Sequence, residues 1–220
     1  MTVQELVDNH IASRRDPNRV RSGKYSPSML GRCYRAQYWN RKNEPQTNPP
    51  DKRSLRVFEA GHLFHDLVQN LLKPEQVEVK VETEHFCGYA DFVTEEYVGD
   101  IKSQHSKGFW YMKKDSYDVN EKKKNNILQV MFYAKHLGKK WGRLIFISKD
   151  DLCIEEYGFP LEQWTEEVAK EEGILIDIWQ KQEVPDAIPR AYEGKECSYC
   201  SWKDKCKEFG GSVWTKNGGN

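Results

Sequence analysis

No stretch of this 220-residue chain approaches the roughly 18 consecutive apolar residues of a membrane-spanning helix. Its first 15 residues carry acids but no apolar core of a secretory signal. The expected location is therefore the cytoplasm, where the six cysteines would not form a disulfide framework. Internal repeats are absent, and so is net charge, since 34 Lys and Arg balance 34 Asp and Glu. That balance excludes a uniformly basic surface but hides a strong segregation. Residues 1–56 hold 12 basic and 5 acidic residues, and 103–150 hold 11 and 4. Residues 57–102 hold 3 and 10, and 151–220 hold 8 and 15. Basic segments that meet in space can bind a polyanion whatever the pI; solvated surface charge gives the same pattern.

What is present suits a globular domain. Hydrophobic residues make up 38% of the chain, aromatics 12% and charged residues 31%, with a mean hydropathy of -0.85. Val3, Leu6, Val7 and Ile11 predict a short amphipathic helix over residues 2–13, followed by a basic segment from Arg14 to Lys24. Ser26-Pro27 reads as an N-cap and first helical position of a helix carrying Cys33, Arg35 and Tyr38 and ending near Asn40. Helical periodicity runs again from Leu55 to Leu72. Val77, Val79 and Val81 then alternate with Glu78, Lys80 and Glu82, as in a half-exposed strand. Phe86–Val93 and Tyr97–Ser103 read as two more strands, residues 104–125 as a polar, partly helical excursion, and Asn126–Leu137 as a helix closed by Gly138. A hairpin of Leu144–Ser148 and Leu152–Phe159 and a long helix from Leu161 to Gln182 complete the order. This is an α/β fold with a mixed central sheet flanked by helices.

Asp100-Ile101-Lys102 falls on a predicted strand, where side chains two apart share a face. Asp100 and Lys102 should project together while Ile101 enters the core. A carboxylate beside a lysine suits phosphodiester hydrolysis: the acid holds a hard divalent cation, and the lysine steadies negative charge or orients water. Asp91, on the preceding strand, can reach the same cation if the strands are neighbours. A D-x-K triplet is common by chance, and a strand-edge ion pair is its usual meaning. Two flanking helices add weight here. His65 on the first is a further candidate metal ligand, although a helical histidine is more often structural. Gln129 and Tyr133 lie one turn apart on the second, where they can donate to a nucleic-acid backbone or simply form an amphipathic face. Lys122, Lys123 and Lys124, with the Arg14–Lys24 segment, can neutralise phosphates on the strand's approach. Phe109, Trp110 and Tyr111 are candidates for stacking on bases, with core packing the commoner role.

Cys197-x-x-Cys200, with Cys206 beyond, is a strong metal-site spacing that needs a fourth ligand, and Cys33 is the best candidate. Four thiolates fit structural zinc or an iron–sulphur cluster, and spacing does not choose between them. A redox pair is weaker, for want of a thioredoxin-like strand–helix context. Cys87 and Cys153, in apolar strand-like stretches, read as buried thiols.

Taken in order, Ser26-Pro27-Ser28, Cys33, Gly61-x-x-x-His65, Asp91, Asp100-x-Lys102, Gln129-x-x-x-Tyr133 and Cys197, Cys200 and Cys206 resemble the CRISPR-associated RecB-like exonuclease family, which has phage and archaeal-virus relatives. The resemblance spans roughly residues 26–206, between an N-terminal helix and basic segment (1–25) and a flexible tail (207–220). It implies a restriction-endonuclease-like PD-(D/E)XK core. It implies Mg²⁺ or Mn²⁺ held by His65, Asp91, Asp100 and the Ile101 carbonyl, with Lys102 as catalytic lysine and Asp91 and Asp100 as its acidic partners. It further implies DNA contacts from Gln129 and Tyr133, and a largely structural 4Fe–4S cluster on Cys33, Cys197, Cys200 and Cys206, with zinc as the alternative. The implied substrate is DNA, single-stranded or at its ends, with recombination or CRISPR-adaptation proteins as partners. One departure is Asp100 itself, where the family more often has glutamate. A catalytically inactive DNA-binding module and a zinc-binding interaction protein are the rival readings.

Overall fold

The computed structural model describes residues 1–14 and 21–210, so most of the basic segment after Arg14 and the last ten residues lie outside the described residues. The described chain runs α1 (Val3–Ser13), a 3-10 turn (Pro27–Met29), α2 (Tyr34–Arg41), α3 (Lys52–Leu72), β1 (Gln76–Glu82), β2 (Cys87–Val93), β3 (Tyr97–Gln104), α4 (Ser106–Met112), α5 (Val119–Lys122), α6 (Lys124–His136), β4 (Trp141–Ser148), β5 (Ile154–Pro160), α7 (Thr165–Lys181), a kinked 3-10 segment (Tyr192–Tyr199) and α8 (Lys203–Glu208). No described helix is long and apolar enough to cross a membrane.

The five strands form one sheet in the order β1-β2-β3-β4-β5. Neighbours are antiparallel except β3 and β4, which run parallel with α6 as the crossover between them. A parallel pair needs such a crossover, and it places a helix against one sheet face. Ile127 to Ala134 are all buried, because α6 is sandwiched between the sheet and α7. On the other face, Val68 and Phe64 of α3 pack on Phe92, Ile101, Ile145 and Ile147. The sheet is therefore covered on both sides, and its two central strands read as nearly continuous apolar runs interrupted by Asp100 and Lys102.

Three local expectations are corrected. The helix read from Ser26 is two elements: Ser26 makes no capping bond, the turn ends by Leu30, and Gly31 at φ +72° redirects the chain. Cys33 is then the N-cap residue of α2 rather than a member of a helix. Cys87 and Cys153 are only half-buried. The alternation of β1 also fails at its start, where Val77 is 49% exposed. The cause is Glu78, whose φ of +49° lies in the left-handed region and turns the strand there.

The chain's two ends meet through side chains and backbone alike. Trp39 of α2 faces Trp202 at 6.4 Å between ring centroids, Trp202 Nε1 donates to the Glu44 carbonyl at 3.1 Å, and Asn48 N donates to the Ser201 carbonyl at 2.9 Å. Phe209, within the stretch read as tail, packs edge-on to Trp39 at 5.9 Å. At the N-terminus, Thr2 and Glu5 cap α1 reciprocally, and Arg56 reaches Asp8 at 2.7 Å to fasten α1 to α3.

Candidate active site

Asp100, Lys102 and Gln104 lie on the α6-facing side of β3, as period-two alternation requires. Asp100 is 1% exposed. Lys102 Nζ donates to Asp100 Oδ1 at 2.9 Å and stands 2.8 Å from Oδ2, which accepts no well-directed hydrogen bond. The same ammonium donates to Gln129 Oε1 at 3.2 Å, so α6 delivers Gln129 onto the D-x-K pair. Tyr133 follows one turn later, buried between Gln129 and the Tyr89 backbone. Gly88 makes room for it: a Cβ there would fall 2.5 Å from Tyr133 Oη.

Asp91 enters from a break in the sheet. β2 and β3 pair only through Phe92–Gly99 and Val93–Val98. The next step, where Asp91 would face Asp100, is open. Gly99 permits the last rung, since a Cβ at that position would meet the Phe92 ring at 2.0 Å. Across the opening the Ile101 N–H donates to Asp91 Oδ2 at 2.6 Å. In an extended strand a residue's N–H and C=O point to the same edge, so the Ile101 carbonyl looks into that opening too. On the other side of β2 the ladder joins Val77 to Phe92 and Val79 to Ala90 but skips Glu78 and Asp91 between them.

These two gaps create the space that α3 fills with His65, whose Nδ1 lies 3.5 Å from Asp91 Oδ2. Among the described residues, ligand atoms of His65, Glu78 and Asp91 all lie within 4.8 Å of one another. Gln69 of α3 braces the group, donating to Glu78 Oε1 at 3.2 Å and to the Asp91 carbonyl at 2.7 Å. Glu78 had no signal in the sequence beyond its place on the polar side of a strand; the left-handed backbone that brings it round has no pattern of its own. His62, one turn from His65, has a side chain 69% exposed and stands apart.

The electrostatics are those of a site that needs a cation. Burial pushes the Asp91 and Asp100 carboxyls up to about 6, although Lys102 pulls both down and the Ile101 N–H helps on Asp91. Burial and then Lys102 push His65 down, toward the neutral imidazole that binds metals. Carboxylate oxygens are the ligands that hard divalent ions take, and an imidazole adds a borderline nitrogen donor; Asp100 Oδ2 is buried with no well-directed hydrogen bond.

The lysine run divides. Lys122 pairs with Glu193 at 2.7 Å and Lys124 with Glu167 at 2.5 Å, whereas Lys123 turns inward to Gln104. Of the aromatic triplet on α4, Phe109 is fully buried, while Trp110 and Tyr111 are 49% and 52% exposed.

At the far side of α2, Cys33, Cys197, Cys200 and Cys206 all line one chamber of about 130 Å³, together with Trp39 and Trp202. Arg35 Nη1 donates to Cys206 Sγ at 3.5 Å. Glu196 accepts from the Cys33 N–H at 3.2 Å and from the Ala191 N–H at 3.2 Å, tying the two cysteine-bearing segments together. Burial pushes Cys200 up to about 11, with the other three sulphurs adding to the rise, so thiolates here require a positive partner.

Comparison with solved structures identifies the architecture. SSO0001 aligns over 91% of this chain and 93% of its own at 17% identity and a TM-score of 0.56. The alkaline exonuclease LHK-Exo of Laribacter hongkongensis aligns over 73% and 89% at 12% identity and a TM-score of 0.51. This chain shares its fold with these two structures. At such identities the likeness establishes the α/β fold and leaves the chemistry to the residues themselves. No family model and no curated protein matches the chain.

Proposed function

We propose that the chain is a divalent-metal-dependent deoxyribonuclease of the PD-(D/E)XK type, acting as an exonuclease on DNA ends or single strands. The observation that carries this is the convergence of His65, Glu78, Asp91, Asp100 and Lys102 where the sheet opens, with Gln129 and Tyr133 beside them. Mg²⁺ or Mn²⁺ held by His65, Glu78, Asp91 and Asp100, aided by the Ile101 carbonyl, would supply Lewis acidity at the phosphate and lower the pKa of the attacking water. Glu78 offsets the shorter reach of Asp100 at the position where the resembled family more often has glutamate. Lys102, oriented by Asp100 and Gln129, neutralises charge that develops on the phosphate. Gln129 and Tyr133 orient the strand by contacts to its backbone. The imidazole of His65 stays neutral at physiological pH and so keeps a nitrogen lone pair for the cation.

The four cysteines fit a metal cluster by donor type and by enclosure. A single tetrahedral zinc with bonds of about 2.3 Å sets its sulphurs about 3.8 Å apart. The resemblance, and not the spacing, is what favours a 4Fe–4S cluster here, whose role on these residues is to pin residues 33 and 197–206 together.

The test is digestion of end-labelled single- and double-stranded DNA with and without Mn²⁺, comparing wild type with Asp100→Asn and Lys102→Met. Each variant should lose at least about 10²–10³-fold in rate while still binding DNA. Wild-type rates in either variant would sink the reading, and binding without cleavage by the wild type would favour an inactive module. Iron analysis and the visible spectrum of the purified protein decide between the cluster and zinc.

A further inference from the structure

Lys123 is an anomaly among the chain's lysines. Its ammonium is half-buried, it donates to the neutral Gln104 Oε1 at 3.2 Å and stands 5.0 Å from the centroid of the Phe146 ring, and among the described residues no carboxylate pairs with it. Burial first, then Lys102, push it down to about 8. A half-buried ammonium whose partners are all neutral is a costly arrangement that an anion would relieve. Gln104 lies two residues beyond Lys102 on the same strand face, so Lys123 extends the cleft along β3.

The surroundings are donors too. Lys123 is the N-cap residue of the 13-residue α6, and no side chain caps that helix end, where partial positive charge gathers. Asn125 lies one turn before Gln129 on the helix face that carries Gln129 and Tyr133. It is 5% exposed, and its Nδ2 donates to nothing. The loop before α2 presses on it: a Cβ at Gly31 would stand 3.1 Å from Asn125 Cα. The next residue, Arg32, turns to the cysteine chamber, where its Nη2 donates to Tyr192 Oη at 2.8 Å.

We propose that Lys123, with Asn125 behind it, holds a second phosphate of the substrate strand, next to the one placed at Lys102. This rests on the nuclease reading and deepens it. The polar stripe of α6 becomes Asn125, Gln129, Tyr133, and the strand has a direction: one phosphate at the D-x-K pair, its neighbour toward the start of α6. Lys122 and Lys124 lie outside this subsite, held by Glu193 and Glu167.

The experiment measures binding of a labelled single-stranded oligodeoxynucleotide by anisotropy, in Ca²⁺ and across a series of salt concentrations. Each lost phosphate contact flattens the log–log salt dependence by about 0.7 for single strands. Lys123→Met should show that flattening with weaker binding, Lys123→Arg should keep the wild-type slope, and the melting temperature of Lys123→Met should be unchanged or higher because a repulsion is gone. Cleavage by the wild type is followed in parallel in Mn²⁺. If the wild type cleaves and Lys123→Met retains its slope and affinity, the second phosphate site is overturned and the nuclease reading stands. If Lys123→Met melts lower with an unchanged slope, the lysine is structural and the proposal is overturned. A wild type that neither binds nor cleaves DNA overturns both.

Discussion

The acidic cleft and the cysteine chamber are built by opposite means. The cleft gathers groups from adjoining elements and leaves them in tension: two carboxyls pushed up to about 6, a carboxylate oxygen without a directed bond, and a half-buried lysine, Lys123, bonded to a neutral amide. The chamber gathers residues more than 160 positions apart and ties them with the tryptophan pair and the Glu196 bridge. Tension that only a ligand relieves is the mark of a working site. Contacts that close a long loop of chain are the mark of a fastening. On the proposed reading, chemistry belongs to the first region and stability to the second.

The sharpest way to break that assignment is to damage one residue in each. Cys200→Ser should cost more than about 4 kcal/mol of stability, the range reached when a structural metal site is lost, with cleavage falling only as the folded fraction falls. Asp100→Asn should do the reverse, abolishing cleavage with a melting temperature within a few degrees of wild type. Thermal unfolding and rates on the same preparations check both. A Cys200→Ser protein that melts like wild type would remove the fastening role.

These two regions were not equally legible in the sequence. The D-x-K strand, Asp91, His65, Gln129 and Tyr133 could be placed because hydrophobic alternation and helical spacing fix which face each side chain takes, and the structure brings all of them to one opening. The same periodicity predicts the five strands and a mixed sheet, whereas the strand order is read from the structure. Glu78 was invisible because its position depends on one left-handed residue, a choice made by tertiary packing and not by any local pattern. The helix read from Ser26 was misjudged for a related reason: Gly31 looked like an interior glycine, and only its packing on Asn125 shows that the chain must turn there. The lysine run looked uniform, and burial alone separated Lys123 from its neighbours.

A second prediction sharpens the view of the cleft as tension awaiting a cation. Because the folded carboxyls titrate near 6 instead of 3.8, the metal-free protein is favoured in its protonated form. The stability these groups contribute is complete below about pH 4 and is lost as pH rises through about 6. A bound cation reverses this, since both protons must leave first. The Mn²⁺-induced rise in melting temperature should therefore be large above pH 7 and weaken by at least about tenfold in apparent affinity per pH unit below 6. A metal effect that persists unchanged to pH 4.5 would show that these carboxyls do not hold the ion. The cysteine region should not share this profile.

The smallest effect concerns Glu78, where the comparison can be tested within a single residue. Its φ of +49° costs a non-glycine residue about 1–2 kcal/mol. Glycine escapes that strain but gives up about 0.5–1 kcal/mol in chain entropy on folding. Glu78→Gly and Glu78→Ala both remove the carboxylate and its repulsion of Asp91, so the difference between them isolates the backbone. In metal-free protein Glu78→Gly should exceed Glu78→Ala by about 0.5–1 kcal/mol, measured by urea unfolding. Both should lose much of the Mn²⁺ stabilisation that the wild type shows. If alanine is the more stable of the two, the left-handed turn is unstrained. If both variants keep the full metal effect, Glu78 is not a ligand, and the tension in the cleft belongs to Asp91, Asp100 and the lysines alone.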